Sequence, residues 1–312
     1  MARRRTSLPF LRPVKRAADA VLGAVVVGAL AVLRRINRQR MANVLGRLMR
    51  GIGPWLPEHK VGRDNLRAAF PNKSPKDIET ILGGVWENLG RVAAEFAHID
   101  RIIIHDPARP ERSADPDAMI DEATHARLKT LGDAERPTVV FAAHLANWEI
   151  PALAPHSFGF PTSILYRRPN IGAASDAIVA LRERCMGTMV ASGLDAPLKL
   201  GRALESGGTV ALLVDQHTTQ GVDVVFFGRW AKANPLAVQL ARLTGARLRG
   251  VRVVRLPDGN HFRVELTDEI DPVRDAAGAI DIQATTQAIT SVVEGWVREH
   301  PEQWLWLHRR WR

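Results

Sequence analysis

Residues 144–149 read His-Leu-Ala-Asn-Trp-Glu. An imidazole close to a carboxylate can act as a general base, because the carboxylate holds the ring and favours its charged form. His144 and Glu149 are five positions apart, so on one continuous helix they would point to different faces; across a turn they can meet. The apolar run 137–143 before them reads as a buried strand, and 150–158 as the start of a helix. Asn147 is a candidate N-cap, which would set Glu149 in a first helical turn, where the helix dipole favours a carboxylate. A base of this kind could deprotonate a hydroxyl for attack on an activated carbonyl. Spacing alone leaves two other readings open, a structural polar pair and a metal site. His144, Glu149, His156 and His217 are possible ligand types, but there is no His-Glu-x-x-His.

Other chemistry-bearing residues stand at the ends of apolar runs. Arg167 and Arg168 follow 162–166 and could hold a phosphate or neutralise an oxyanion, or form a solvated surface pair. Arg182 and Arg184 lie on the next helical stretch; two apart, they diverge, so at most one faces a cleft. Asp215 closes the run 209–214 and could orient one of these arginines, contact an acceptor or cap a turn. There is no Gly-x-Ser-x-Gly elbow, and Cys185, inside an expected helix, reads as packing. As the only cysteine, it excludes an internal disulfide.

The elements that must position these residues alternate. Strands are expected at 138–142, 162–166, 209–214, 247–254 and 261–266, with helices at 148–157, 172–190, 196–206 and 235–244. This predicts an α/β fold, a mostly parallel central sheet flanked by helices. In such sheets sites gather at the carboxyl ends of strands, where three of the charged clusters fall. Upstream, Ser74-Pro75 marks a helix start, followed by Ile78, Ile81, Leu82, Val85, Trp86, Leu89 and Val92 at helical spacing, a core-facing stripe. Residues 106–117 are Pro-rich and read as an exposed connection. Residues 281–300 read as a long amphipathic helix leading into Trp304-Leu-Trp-Leu-His-Arg-Arg-Trp311, which suits either docking at lipid headgroups or closing over the core.

At the N-terminus six cations between Arg3 and Arg16 precede the apolar run Ala17–Leu33, followed by Arg34-Arg35. A spanning helix needs ~20 apolar residues; this run has 17 and contains Asp19. A retained anchor, spanning or shallow, is the expectation, since no small-x-small cleavage pattern follows; a buried helix and a cleaved signal are the alternatives. With 43 Lys+Arg against 33 Asp+Glu, the net charge of +10 favours anionic partners. Nucleic acid lacks support: there is no reader motif, and a single Tyr leaves little for a basic–aromatic repeat.

Taken together, the motifs resemble the late acyltransferases of lipid A biosynthesis, the lauroyl/myristoyl acyltransferases within the wider lysophospholipid acyltransferase group. The likeness runs from about Val61 to Arg312. It rests on Asn65-Leu-Arg-Ala-Ala-Phe-Pro71, the His-x4-Glu block 144–149, Tyr166-Arg-Arg-Pro-Asn170, Val214-Asp-Gln216 with Phe226-Phe-Gly228, and Pro301-Glu-Gln-Trp-Leu-Trp-Leu-His-Arg-Arg310. The resemblance implies a basic segment with a hydrophobic anchor helix over 1–50 and an acyltransferase domain over 51–312. It implies transfer of a fatty acyl chain from acyl carrier protein to a hydroxyl of a lipid A precursor, with His144 as base, Glu149 orienting it, and no cofactor. Arg182 and Asp215 fall on functional family positions, and either Arg167 or Arg168 answers to the family arginine. The implied partners are the carrier protein, an anionic glycolipid and a membrane surface. The implied location is the inner membrane, with the catalytic domain facing the cytoplasm. Acylation of another glycolipid, such as a phosphatidylinositol mannoside, and a non-catalytic membrane-associated role are the competing expectations.

Overall fold

The computed structural model describes residues 31–109, 111, 116–133, 135–168 and 173–311, with positions 21, 24 and 28. Most of the apolar run 17–33 lies outside the described residues. Among the described residues no helix is long and apolar enough to cross a membrane.

After helical residues at 31–33 come three helices, α1 (Arg38–Ile52), α2 (Pro57–Ala69) and α3 (Pro75–Phe96). α3 begins where its sequence dictates. The Ser74 side chain accepts from the Asp77 N–H while Asp77 reaches back to the Ser74 N–H, and Pro75 takes a position that needs no donor. Its stripe Ile78, Ile81, Leu82, Val85, Trp86 and Val92 is buried. α1 runs across residue 50 and lies directly on α3. A Cβ on Gly90 would stand 2.3 Å from the Leu45 carbonyl oxygen, so only glycine allows this approach.

The α/β body follows: β1 (Ala118–Ile120), α4 (Glu122–Lys129), β2 (Thr138–Ala142), α5 (Leu153–Ser157), β3 (Thr162–Tyr166), α6 (Ala173–Glu183), β4 (Thr188–Ala191), α7 (Ala196–Glu205), β5 (Thr209–Leu213), β6 (Val222–Phe226), β7 (Arg229–Ala233), α8 (Leu236–Thr244), β8 (Arg247–Arg255), β9 (Phe262–Glu269) and α9 (Ile282–Glu299). The main sheet has the order β1-β9-β8-β2-β5-β3-β4. Every pairing in it is parallel except β8 with β9. The expected fold class stands, apart from the anchor helix. β2 is buried on both faces: Val139 and Phe141 join one apolar cluster with α3, α8, α9 and the C-terminal tryptophans, while Val140 joins another with Ile150, Leu153, Leu181 and Met186.

Two departures have local causes. The helix expected over 172–190 ends at Glu183, and β4 occupies its last part. Gly187 separates them with φ 117°, and a Cβ there would stand 2.4 Å from the Thr162 carbonyl oxygen. β6 and β7 form a separate antiparallel hairpin turning at Phe227-Gly228, with both residues at positive φ. The Phe227 N–H donates to Glu294 (2.6 Å) and its ring packs against Phe70 and Trp306, so tertiary contacts hold a turn that sequence chemistry alone would not favour.

The C-terminal segment closes over the core. Trp304 and Trp306 are fully buried. Leu145 and Trp304 form an antiparallel bridge, the Ala146 N–H donates to the Gln303 carbonyl (2.9 Å), and the Leu305 N–H donates to that of His144 (3.1 Å). The end of the chain is thus a backbone partner of the 144–149 turn. That excludes Trp304 and Trp306 from headgroup docking.

Candidate active site

β2 and β5 are parallel neighbours with Ala142 opposite Leu213. Two residues beyond each, His144 and Asp215 stand side by side at the carboxyl edge. Asp215 Oδ1 pairs with His144 Nδ1 at 2.8 Å; Oδ2 accepts the His144 backbone N–H (2.8 Å) and the Trp304 indole N–H (2.7 Å). Burial alone would push the Asp215 carboxyl up, but the charge and hydrogen bonds of His144 outweigh it and hold the group below the usual carboxylate range. A carboxylate at Nδ1 assigns that nitrogen the proton and leaves Nε2 as the acceptor. The side-chain amide of Gln216 lies 3.2 Å from Nε2.

This corrects two expectations. Among the described residues no hydrogen bond joins Glu149 to the His144 ring. Both Glu149 oxygens accept from Arg182, at 2.9 Å from Nε and 2.5 Å from a terminal nitrogen. The carboxylate bonded to the His144 ring is Asp215, which pairs with that ring rather than with one of the arginines. Nor is Asn147 the N-cap: its Oδ1 accepts the Glu149 N–H (3.2 Å), but Glu149 itself stands at the N-cap of the 3₁₀ turn Ile150–Ala152 that follows, with no side-chain cap bond.

The remaining arginines are sorted by their partners. Arg182 lines the cleft beside Glu149, and its guanidinium sits 5.3 Å from the Phe96 ring centroid. Arg167 is exposed and lines the cleft after β3. Arg168 instead pairs with Asp176 on the surface (2.5 Å), which removes it as a cleft arginine. The cleft has a volume of about 510 Å³. His144, Trp148, Glu149, Arg167, Arg182 and Gln216 supply its polar and aromatic part, and it continues between Val140, Ala142, Ile164, Met186, Ala211 and Val251 along one face of the sheet. Cys185 is buried, and burial pushes its thiol up to about 11, so it is no nucleophile at neutral pH. Among the described residues no group of three His, Cys, Asp or Glu side chains is arranged to hold a metal ion.

Beneath the 144–149 turn lies a network that sequence reasoning missed. Glu95 accepts from both terminal nitrogens of Arg255 (2.5 and 3.0 Å) and from the Asn147 amide (2.9 Å). Arg255 Nε donates to Asn88 Oδ1 (2.9 Å), whose amide donates to the Ala146 carbonyl (3.0 Å). Ala146 has φ 46°, a left-handed conformation that costs a non-glycine residue about 1–2 kcal/mol. The bonds to Asn88 and Gln303 hold it there. Having Glu95 on the Asn147 amide also turns Oδ1 toward the Glu149 N–H, so one buried ion pair sets the path of the chain between His144 and Glu149.

A mostly parallel sheet with a carboxylate-held imidazole at its carboxyl edge, opening on an apolar cleft, is an α/β architecture whose candidate site lies where such sheets place theirs. A family model for bacterial lipid A biosynthesis acyltransferases matches residues 9–312, and the chain belongs to that family. No curated protein was found to match it.

Proposed function

We propose that this protein moves a fatty acyl chain from the thioester of acyl carrier protein to a hydroxyl of a lipid A precursor, with His144 as general base. The observation that carries this is the His144–Asp215 pair at the mouth of an apolar cleft flanked by Arg167 and Arg182. The acceptor hydroxyl takes the place of the Gln216 amide at His144 Nε2. Nε2 removes its proton as the oxygen attacks the thioester carbon, and the Asp215 carboxylate stabilises the imidazolium. The tetrahedral intermediate collapses with cleavage of the carbon–sulfur bond, and the departing thiolate takes the proton from Nε2. The freed Gln216 amide is a candidate donor to the oxyanion, a role worth on the order of 10²–10³ in kcat.

A thioester is already activated, so positioning accounts for much of the catalysis. The cleft holds the acyl chain, Arg167 and Arg182 face the phosphates of the acceptor, and the basic surface suits the acidic carrier. The enzyme works at the inner membrane with its catalytic domain facing the cytoplasm, where the carrier is found. The lipid A mass spectrum of a strain lacking the protein is expected to lose one acyl chain, restored by the wild-type gene. An unchanged lipid A spectrum would exclude this acceptor, and loss of a chain from another glycolipid would identify the alternative.

A further inference from the structure

Facing away from α3, α1 leaves an apolar face that nothing among the described residues covers. Val44 is 63%, Leu48 52% and Trp55 84% exposed, Trp55 standing on the 3₁₀ turn Gly53–Trp55 that continues the helix. Positions 44, 48, 51 and 55 fall on one helical face, with small Gly51 also exposed between them. Arg40 and Arg47 are exposed on the same side, and among the described residues neither is in an ion pair. From Arg34 to Leu56 the chain carries six arginines and no Asp or Glu.

The helix cannot turn to bury this stripe. On its opposite face Ala42 and Gly46 are buried, and the close approach at Gly90 locks it against α3. Its entry is clamped as well: Arg34 donates twice to Asp100 (2.8 Å each) and once to the Ala97 carbonyl (2.8 Å), and Arg38 pairs with Asp117. The chain therefore enters α1 from a fixed point at Arg34 and Arg38, at the head of the stripe.

We propose that the outer face of α1, continued by Trp55, lies in the interface of a bilayer containing anionic phospholipid. Val44, Leu48 and Trp55 would enter the acyl boundary while Arg40 and Arg47 meet the phosphates. An apolar stripe beside unpaired cations, with no acid in the segment, matches that surface in both polarity and charge. Because α1 is fixed to α3, whose Asn88 and Glu95 support the His144 turn, docking sets the height and tilt of the active site over the membrane. The inference rests on the proposal that the enzyme works at a membrane, and names the face that does so.

The test uses the full chain with a bimane label at Val44→Cys or Leu48→Cys, and a control label at exposed Glu135→Cys just before β2, at the far edge of the sheet. The native Cys185 is buried and leaves the background low. Each protein is added to vesicles of phosphatidylethanolamine and phosphatidylglycerol. Vesicle-bound protein is expected to show labels at 44 and 48 quenched by nitroxide lipid and shielded severalfold from iodide, with the label at 135 unaffected by lipid. Labels at 44 and 48 that stay open to iodide on bound protein would overturn the inference alone. So would labels shielded from iodide but not reached by the lipid quencher, which would mean a second copy or the N-terminal segment covers the face. Failure to bind vesicles at all would sink the membrane reading together with it.

Discussion

Asp215→Asn is expected to lower kcat for acyl transfer by roughly 10³- to 10⁴-fold with the protein still folded, the scale seen when a base loses its orienting carboxylate. Asp215 accepts three hydrogen bonds, from the His144 ring, the His144 backbone and the Trp304 indole. An Asn side chain has one acceptor oxygen. Its NH₂ must face either His144 Nδ1, forcing the proton onto Nε2 where the base is needed, or the two N–H groups, donor against donor. Steady-state kinetics on the purified variant measures this. Glu149→Gln behaves differently. Because Glu149 is bonded to Arg182, its loss is expected to couple to Arg182→Met, the double variant being no slower than the worse single one. Combined with Asp215→Asn, it is expected to multiply. Coupling of Glu149 to Asp215 with independence from Arg182 would restore Glu149 as the group that holds the base.

The largest effect on stability is expected at Glu95. Glu95→Ala leaves the Arg255 guanidinium buried without its counter-ion, a loss of about 3–5 kcal/mol. The two side chains are 0% and 7% exposed, so solvent does little to screen the change. Adding Arg255→Met removes the stranded charge and is expected to recover part of the loss, because a buried pair is often replaceable as a unit. Urea unfolding of both variants reads this directly. A loss below about 1 kcal/mol in Glu95→Ala would mean that water reaches Arg255 and that the network is weaker than its geometry indicates.

What the sequence made legible divides along contact range. Strands at 138–142 and 162–166 and the cap at Ser74 follow from local alternation and side-chain chemistry, and the structure has them at those residues. His144 was found because it stands at the end of such a strand. Its carboxylate partner was not, because apolar periodicity identifies β2 and β5 without revealing that they are neighbours in register. Within the sequence Glu149 is the nearer acid; in space Asp215 is. Glu95, Arg255 and Gln303 are more distant still: they meet the 144–149 turn from α3, β8 and the C-terminal segment, and no spacing rule links them. The hairpin at Phe227-Gly228 was missed because Phe lacks the turn chemistry that marks a tight reversal, its conformation being supplied by Glu294 and two aromatic neighbours.

The central claim is that His144 takes the proton of a lipid hydroxyl. Its most direct test is the rate of acyl transfer by purified His144→Ala, with acyl carrier protein thioester as donor and a lipid A precursor as acceptor, on protein shown to unfold at the wild-type midpoint. The expected result is a fall in kcat on the order of 10³-fold, with little change in the apparent affinity for either substrate. Transfer within tenfold of the wild-type rate by the folded variant would contradict the account.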